Sequence, residues 1–98
     1  LDHASCTMQL GECYELGHGL QQSFAMATYL YVLAANNGSE NACYTLGHNI
    51  ACEYCDMVRD EKAVTRWFLA MEKATHKDSY PSSRSYAARW LHEHAAKS

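Results

Sequence analysis

The chain repeats itself at a distance of 36 residues, and this limits its fold more than any other feature of its 98 residues. The stretch "LGECYELGHGL" at 10–20 is echoed by "LGHNI" at 46–50. At the same spacing Leu10 falls on Leu46, Gly11 on Gly47, Tyr14 on Ile50, Ala27 on Ala63, Tyr31 on Trp67, Ala34 on Ala70 and Ala35 on Met71. The matches fall on apolar or small residues, while the residues between them vary. A period of this size marks stacked helical units, each too small to bury a core alone.

Each period reads as two helices. Cys6, Leu10, Cys13, Tyr14 and Leu16 recur at helical spacing, and "ELGHGL" ends that helix, with Gly17 or Gly19 suited to a left-handed cap. Phe24, Ala27, Tyr31, Ala34 and Ala35 share a face over 23–35, with Ser23 placed to cap the start. "NNGS" at 36–39 is a turn, and Ser39 or Asn41 is placed to cap a third helix over about 40–54, carrying Ala42, Cys43, Leu46 and Ile50. A fourth, over about 60–75, starts at Asp60 and carries Ala63, Trp67, Ala70, Met71 and Ala74. "THKDSYPSSRS" at 75–85 reads as a polar connection holding the single proline. In "AARWLHEHA" at 87–95, Ala87, Leu91 and Ala95 match Ala42, Leu46 and Ile50 at a shift of 45.

The expected fold is therefore all-α: two helical hairpins plus a closing helix, wound as a short right-handed α-solenoid. It is a single domain over 1–98, with repeat one at about 4–38, repeat two at about 40–75 and a partial third at about 84–96. Gly11 and Gly47 lie in mid-helix, where each costs about 1 kcal/mol relative to Ala. Close approach of the second helix of each hairpin is the expected compensation. Tyr31 and Trp67 read as core, whereas Trp90 falls outside the core pattern.

These residues resemble the Sel-like repeat family, relatives of the tetratricopeptide repeats. The family pattern A-x-x-x-L-G-x-x-Y-x-x-G-x-G-V, followed by K-A-x-x-W-Y-x-x-A-A-x-x-G, is matched in repeat one by Leu10, Gly11, Tyr14, Gly17, Gly19, Leu20, Ala27, Leu30, Tyr31, Ala34, Ala35 and Gly38. Repeat two supplies Ala42, Leu46, Gly47, Ile50, Lys62, Ala63, Trp67, Phe68 and Ala70, but Glu53 and Cys55 stand where both turn glycines belong, so a different turn shape is expected there. The resemblance implies a scaffold or adaptor that holds a protein partner and carries no catalytic residues. The family it resembles includes a secreted branch that closes each repeat with a disulfide between the end of one second helix and the start of the next first helix. Cys43 suits one position of that bond, and Ala35 stands near the other.

The partner surface is expected on the first helix of each repeat, outside the packing pattern: Gln9, Glu12 and Cys13, then Thr45, His48 and Asn49, then Trp90 and Glu93. Together they describe a mixed, slightly acidic groove suited to a helix or extended peptide with some positive charge. The alternative is a small metal-binding domain using His48, Cys52 and Cys55, since His48 and Cys52 stand one turn apart and Cys52-x-x-Cys55 has a zinc-ligand spacing. Against it, buried cysteine is common as a small hydrophobe. Nucleophilic catalysis needs a thiolate beside a base and an orienting group; Cys13 or Cys52 with His18 or His48 can be drawn so, but any helical array of this composition allows such a drawing, and no enzyme activity is expected.

Composition narrows the partners. A net charge of −3 argues against nucleic acid, and the nearest basic patch, Arg59, Lys62 and Arg66, is interleaved with Asp60 and Glu61. No apolar run approaches the ~20 residues of a membrane span. Five cysteines, an odd number, suit a reducing compartment with thiols free and mostly buried, hence an expected cytoplasmic location; separately, no cofactor is expected. The chain opens on Leu1, as expected of a piece of a larger protein. In such a piece the closing helix would expose apolar surface, and a homodimer through it is a further expectation.

Overall fold

The computed structural model describes residues 3–54 and 57–94. Among the described residues five helices follow one another: α1 (His3–Leu16), α2 (Phe24–Asn36), α3 (Glu40–Ala51), α4 (Glu61–Lys73) and α5 (Pro81–His94). α1 packs on α2 and α3 on α4 as two hairpins, α2 joins the hairpins by packing on α3, and α5 closes the series against α4 and α3. The result is elongated, 43 × 30 × 20 Å, as expected of units that touch only their neighbours.

Local chemistry sets the boundaries. Ser23 Oγ accepts from the Met26 N–H, Ser39 Oγ from the Ala42 N–H, and the Asp60 carboxylate from the Lys62 and Ala63 N–H groups. Each cap satisfies a donor that has no partner inside the helix. Gly17 and Gly19 both take φ of +74° in the turn after α1. Glu53, 36 residues after Gly17, holds the same left-handed region at φ +53°. This residue of the second turn therefore keeps the conformation of the first without the glycine. Pro81 opens α5, where its missing N–H costs nothing. The helix begins inside the stretch expected to be polar connection, because Ser and Arg at 82–85 are tolerated on its exposed side and Ser83 is turned inward.

Two core clusters follow the hairpins. Met8, Ala27, Tyr31, Ala34, Ala42 and Leu46 form the first. Cys43, Val64, Phe68, Met71, Ala87 and Trp90 form the second, and the half-buried Trp67 packs against both. The mid-helix glycines lie under aromatic rings. A Cβ on Gly11 would stand 2.6 Å from Tyr31 Cε1, and one on Gly47 would stand 2.5 Å from Phe68 Cε1.

The register of the second hairpin differs by one residue from the sequence reading. Ala27, Tyr31 and Ala34 on α2 are matched in burial by Val64, Phe68 and Met71 on α4, a shift of 37. The caps Ser23 and Asp60 are also 37 apart, so the turn before α4 has gained one residue and α4 is advanced by one. In α5, Ala87 and Trp90 take the places of Cys43 and Leu46 at a shift of 44 rather than 45. Trp90 is therefore a core residue, 6% exposed.

The apolar set expected on α1 is corrected too. Ala4, Met8 and Gly11 are buried, while Leu10 is 44% and Leu16 57% exposed. Leu46, the counterpart of Leu10, is covered by α2; among the described residues no helix stands in that place beside α1.

The connection between α4 and α5 folds back on the start of α3. The Glu40 N–H donates to the His76 carbonyl and the His76 N–H to the Gly38 carbonyl. Gly38, at φ +99°, has Thr75 Oγ1 where a Cβ would stand. Glu40, 3% exposed, receives Ser79 Oγ at 2.7 Å and Arg84 Nε and Nη2 at 2.9–3.0 Å. Burial alone would raise its pKa, but the hydrogen bonds from Arg84 and Ser79 and the guanidinium charge outweigh burial and hold it below the ordinary carboxylate value.

Candidate interaction surface

The first helices α1, α3 and α5 present the residues expected to bind a partner, and the structure divides those residues into separate places. Gln9 and Glu12, both exposed on α1, line a cleft of about 200 Å³ with Ser5 and Met8, closed on the far side by Asn41 and Asp78. Asp78 is held there by two bonds, accepting from Ser39 Oγ at 3.0 Å and from the Asn41 N–H at 2.9 Å. Glu12 is pushed above its ordinary pKa, first by partial burial and then by the charge of Glu15. Glu15 in turn accepts the Tyr31 hydroxyl at 2.8 Å. The α1 end of the surface is thus anionic and held in place by hydrogen bonds.

The α5 end has the opposite character. Glu93 lines a second cleft, of about 270 Å³, together with Ala51, Arg59, Tyr86, Arg89, Trp90 and His94. Arg59 and Arg89 therefore share a cleft with this acid. Trp90 contributes to the floor of this cleft and is otherwise core: its ring meets Phe68 edge-on at 5.6 Å and stacks on His94 at 4.2 Å. Its expected place outside the core pattern is corrected for this reason, and what it offers a partner is limited to the cleft floor. The mixed, slightly acidic groove expected is a surface with an acidic cleft at α1 and two arginines beside Glu93 at α5.

Between the two clefts lies α3. His48 stacks on Tyr44 at 5.4 Å and meets Tyr86 of α5 edge-on at 5.2 Å, so it joins α3 to α5. Cys13, Thr45 and Asn49 are half-buried and line neither cleft. Of the alternative metal set, His48 Nε2 and Cys52 Sγ approach to 3.6 Å, and Cys55 lies outside the described residues. Among the described residues no three His, Cys, Asp or Glu side chains are arranged to hold a metal ion. The four described cysteines are free thiols, and only Cys43 is buried, contrary to the expectation that most would be. Burial, then the charge of Asp78, pushes the Cys43 thiol up to about 11.

Sequence reasoning missed Asp78, Arg59, Arg89 and Tyr86 as members of this surface. Asp78 reaches the cleft only because the α4–α5 connection folds back across the chain, and no local periodicity encodes that.

No family model, no curated protein and no solved structure matches the chain. No helix among the described residues is long and apolar enough to cross a membrane.

Proposed function

We propose that the chain is a protein-recognition module, a short helical-repeat array of the Sel-like kind that holds a partner peptide or domain along its first-helix face. The observation that carries this reading is the α1–α3 cleft of about 200 Å³, which Gln9 and Glu12 line together with Asn41 and Asp78. Carboxylates and amide groups in such a cleft suit a Lys or Arg side chain, which brings charge and several donors. Arg59 and Arg89 beside Glu93 suit an acidic residue further along the same ligand. The partner segment is therefore cationic where it meets α1 and carries an acid where it meets α5. The internal repeat and the family resemblance support the same role.

Selection from a displayed random peptide library on the immobilised protein tests this. Enriched peptides should carry Lys or Arg, and Glu12→Lys should weaken them by about tenfold or more, the loss of one charge-assisted contact. Lys62→Glu, on the exposed start of α4, should leave them unchanged. No enrichment, or enriched peptides indifferent to Glu12→Lys, overturns the proposal.

A further inference from the structure

A second surface follows from the repeat itself and stands independently of the first-helix reading. In each hairpin the first helix is covered by a second: α1 by α2 through Gly11 and Tyr31, α3 by α4 through Gly47 and Phe68. α5 occupies the first-helix place a third time, with Ala87 and Trp90 standing for Cys43 and Leu46. Among the described residues no helix covers it in turn. In that position lies an open groove of about 410 Å³, floored by Phe68, Met71 and Ala87 and walled by Ala88, Leu91 and Glu72. Its floor is the outer surface of the second core cluster.

We infer that this groove is a docking site for an amphipathic α-helix of a partner, packed on α5 as α4 packs on α3. The occupant's chemistry can be read from the two interfaces that precede it. α2 and α4 enter with an apolar residue one turn before an aromatic ring and another three residues after it: Ala27, Tyr31, Ala34 and Val64, Phe68, Met71. The ring fits because a glycine lies beneath it. At the equivalent place on α5, 44 residues after Gly47, stands Leu91. A leucine there fills the space that a ring would need, so the partner helix carries a small residue, Ala or Gly, between its two apolar neighbours. A second copy of this chain is a poor occupant, because its own α2 and α4 faces are already buried in its hairpins.

The probe is a synthetic peptide copying residues 60–74 with the Phe68→Ala change, titrated into the isotope-labelled protein and followed by amide chemical shifts. Saturable shifts are expected at Met71, Ala87, Ala88 and Leu91, with binding at least about fivefold tighter than for the unaltered 60–74 peptide. Ala88→Glu, at an exposed position whose folding the same spectrum checks, should abolish the shifts. No shifts at millimolar peptide, shifts that survive Ala88→Glu, equal binding of the unaltered peptide, or self-association of the protein through α5 each overturn the inference.

Discussion

Gly47→Ala puts the packing argument to a quantitative test. Alanine is the better helix former by about 1 kcal/mol, so an exposed glycine in mid-helix would be improved by the change. Here the added Cβ would stand 2.5 Å from Phe68 Cε1 and 2.7 Å from Cδ1, about 1 Å inside ordinary carbon–carbon contact. Phe68 is 1% exposed, and its ring is held by Tyr44 and Tyr86 at 6.1 Å and Trp90 at 5.6 Å, so relieving the clash means pulling the ring out of these contacts toward the groove it floors. Overpacking of this kind costs about 1–3 kcal/mol. An approach as close as 2.5 Å belongs in the upper half of that range, about 2–3 kcal/mol, so after the propensity gain of about 1 kcal/mol the net expectation is a loss of about 1–2 kcal/mol. In a domain of this size that is a drop in Tm of roughly 5–15 °C, measured by circular dichroism on heating. The double variant Gly47→Ala with Phe68→Leu should lose less than the sum of the single losses, by about 0.5 kcal/mol or more, because the smaller side chain makes room for the methyl. A Gly47→Ala protein as stable as the parent, or more so, would refute the claim that the ring needs the glycine.

Gly11→Ala should behave likewise, since the Tyr31 ring above it is 2% exposed and tied by its hydroxyl to Glu15; its urea midpoint should fall. Glu53→Gly should raise stability by about 0.5–1 kcal/mol in chemical denaturation, because a left-handed backbone costs a non-glycine residue about 1–2 kcal/mol and the added freedom of the unfolded chain returns part of that. Glu40 sets an acid limb: its folded pKa is depressed below the ordinary 4.5, so its contribution is full above that value and is lost as pH falls through the lower folded one. Tm measured from pH 7 to pH 3 should show this fall, and Glu40→Gln should flatten it. Thiol titration with an aromatic disulfide should modify the exposed Cys6 and Cys52 in the native protein, and Cys43, buried with its pKa pushed up to about 11, only on unfolding.

The hairpin order was legible because it rests on short-range signals. Ser23, Ser39 and Asp60 are good caps, Gly17 and Gly19 take a left-handed turn without steric cost, and the apolar residues recur at helical spacing. The register within the second hairpin was less so. Aligning residues by type placed Trp67 under Tyr31, whereas the extra residue in the turn before Asp60 brings Phe68 there instead. The cap spacing carried that signal, and residue similarity hid it. Trp90 was misplaced by the same one-residue error in α5. The candidate surface was half legible: Gln9 and Glu12 do line one cleft and Glu93 another. Their neighbours Asp78, Arg59 and Arg89 come from connections and from the closing helix. Which charges meet there depends on chain reversals that no local pattern encodes.

The central claim is that the first-helix face receives a partner. Amide chemical-shift mapping of a library-selected peptide on the labelled protein tests it most directly. The account predicts perturbations running from Gln9, Glu12 and Asn41 through His48 to Glu93, with the peptide's basic residue at the α1 end. Perturbations confined to the outer sides of α2 and α4, around Tyr29 and Leu69, would contradict it.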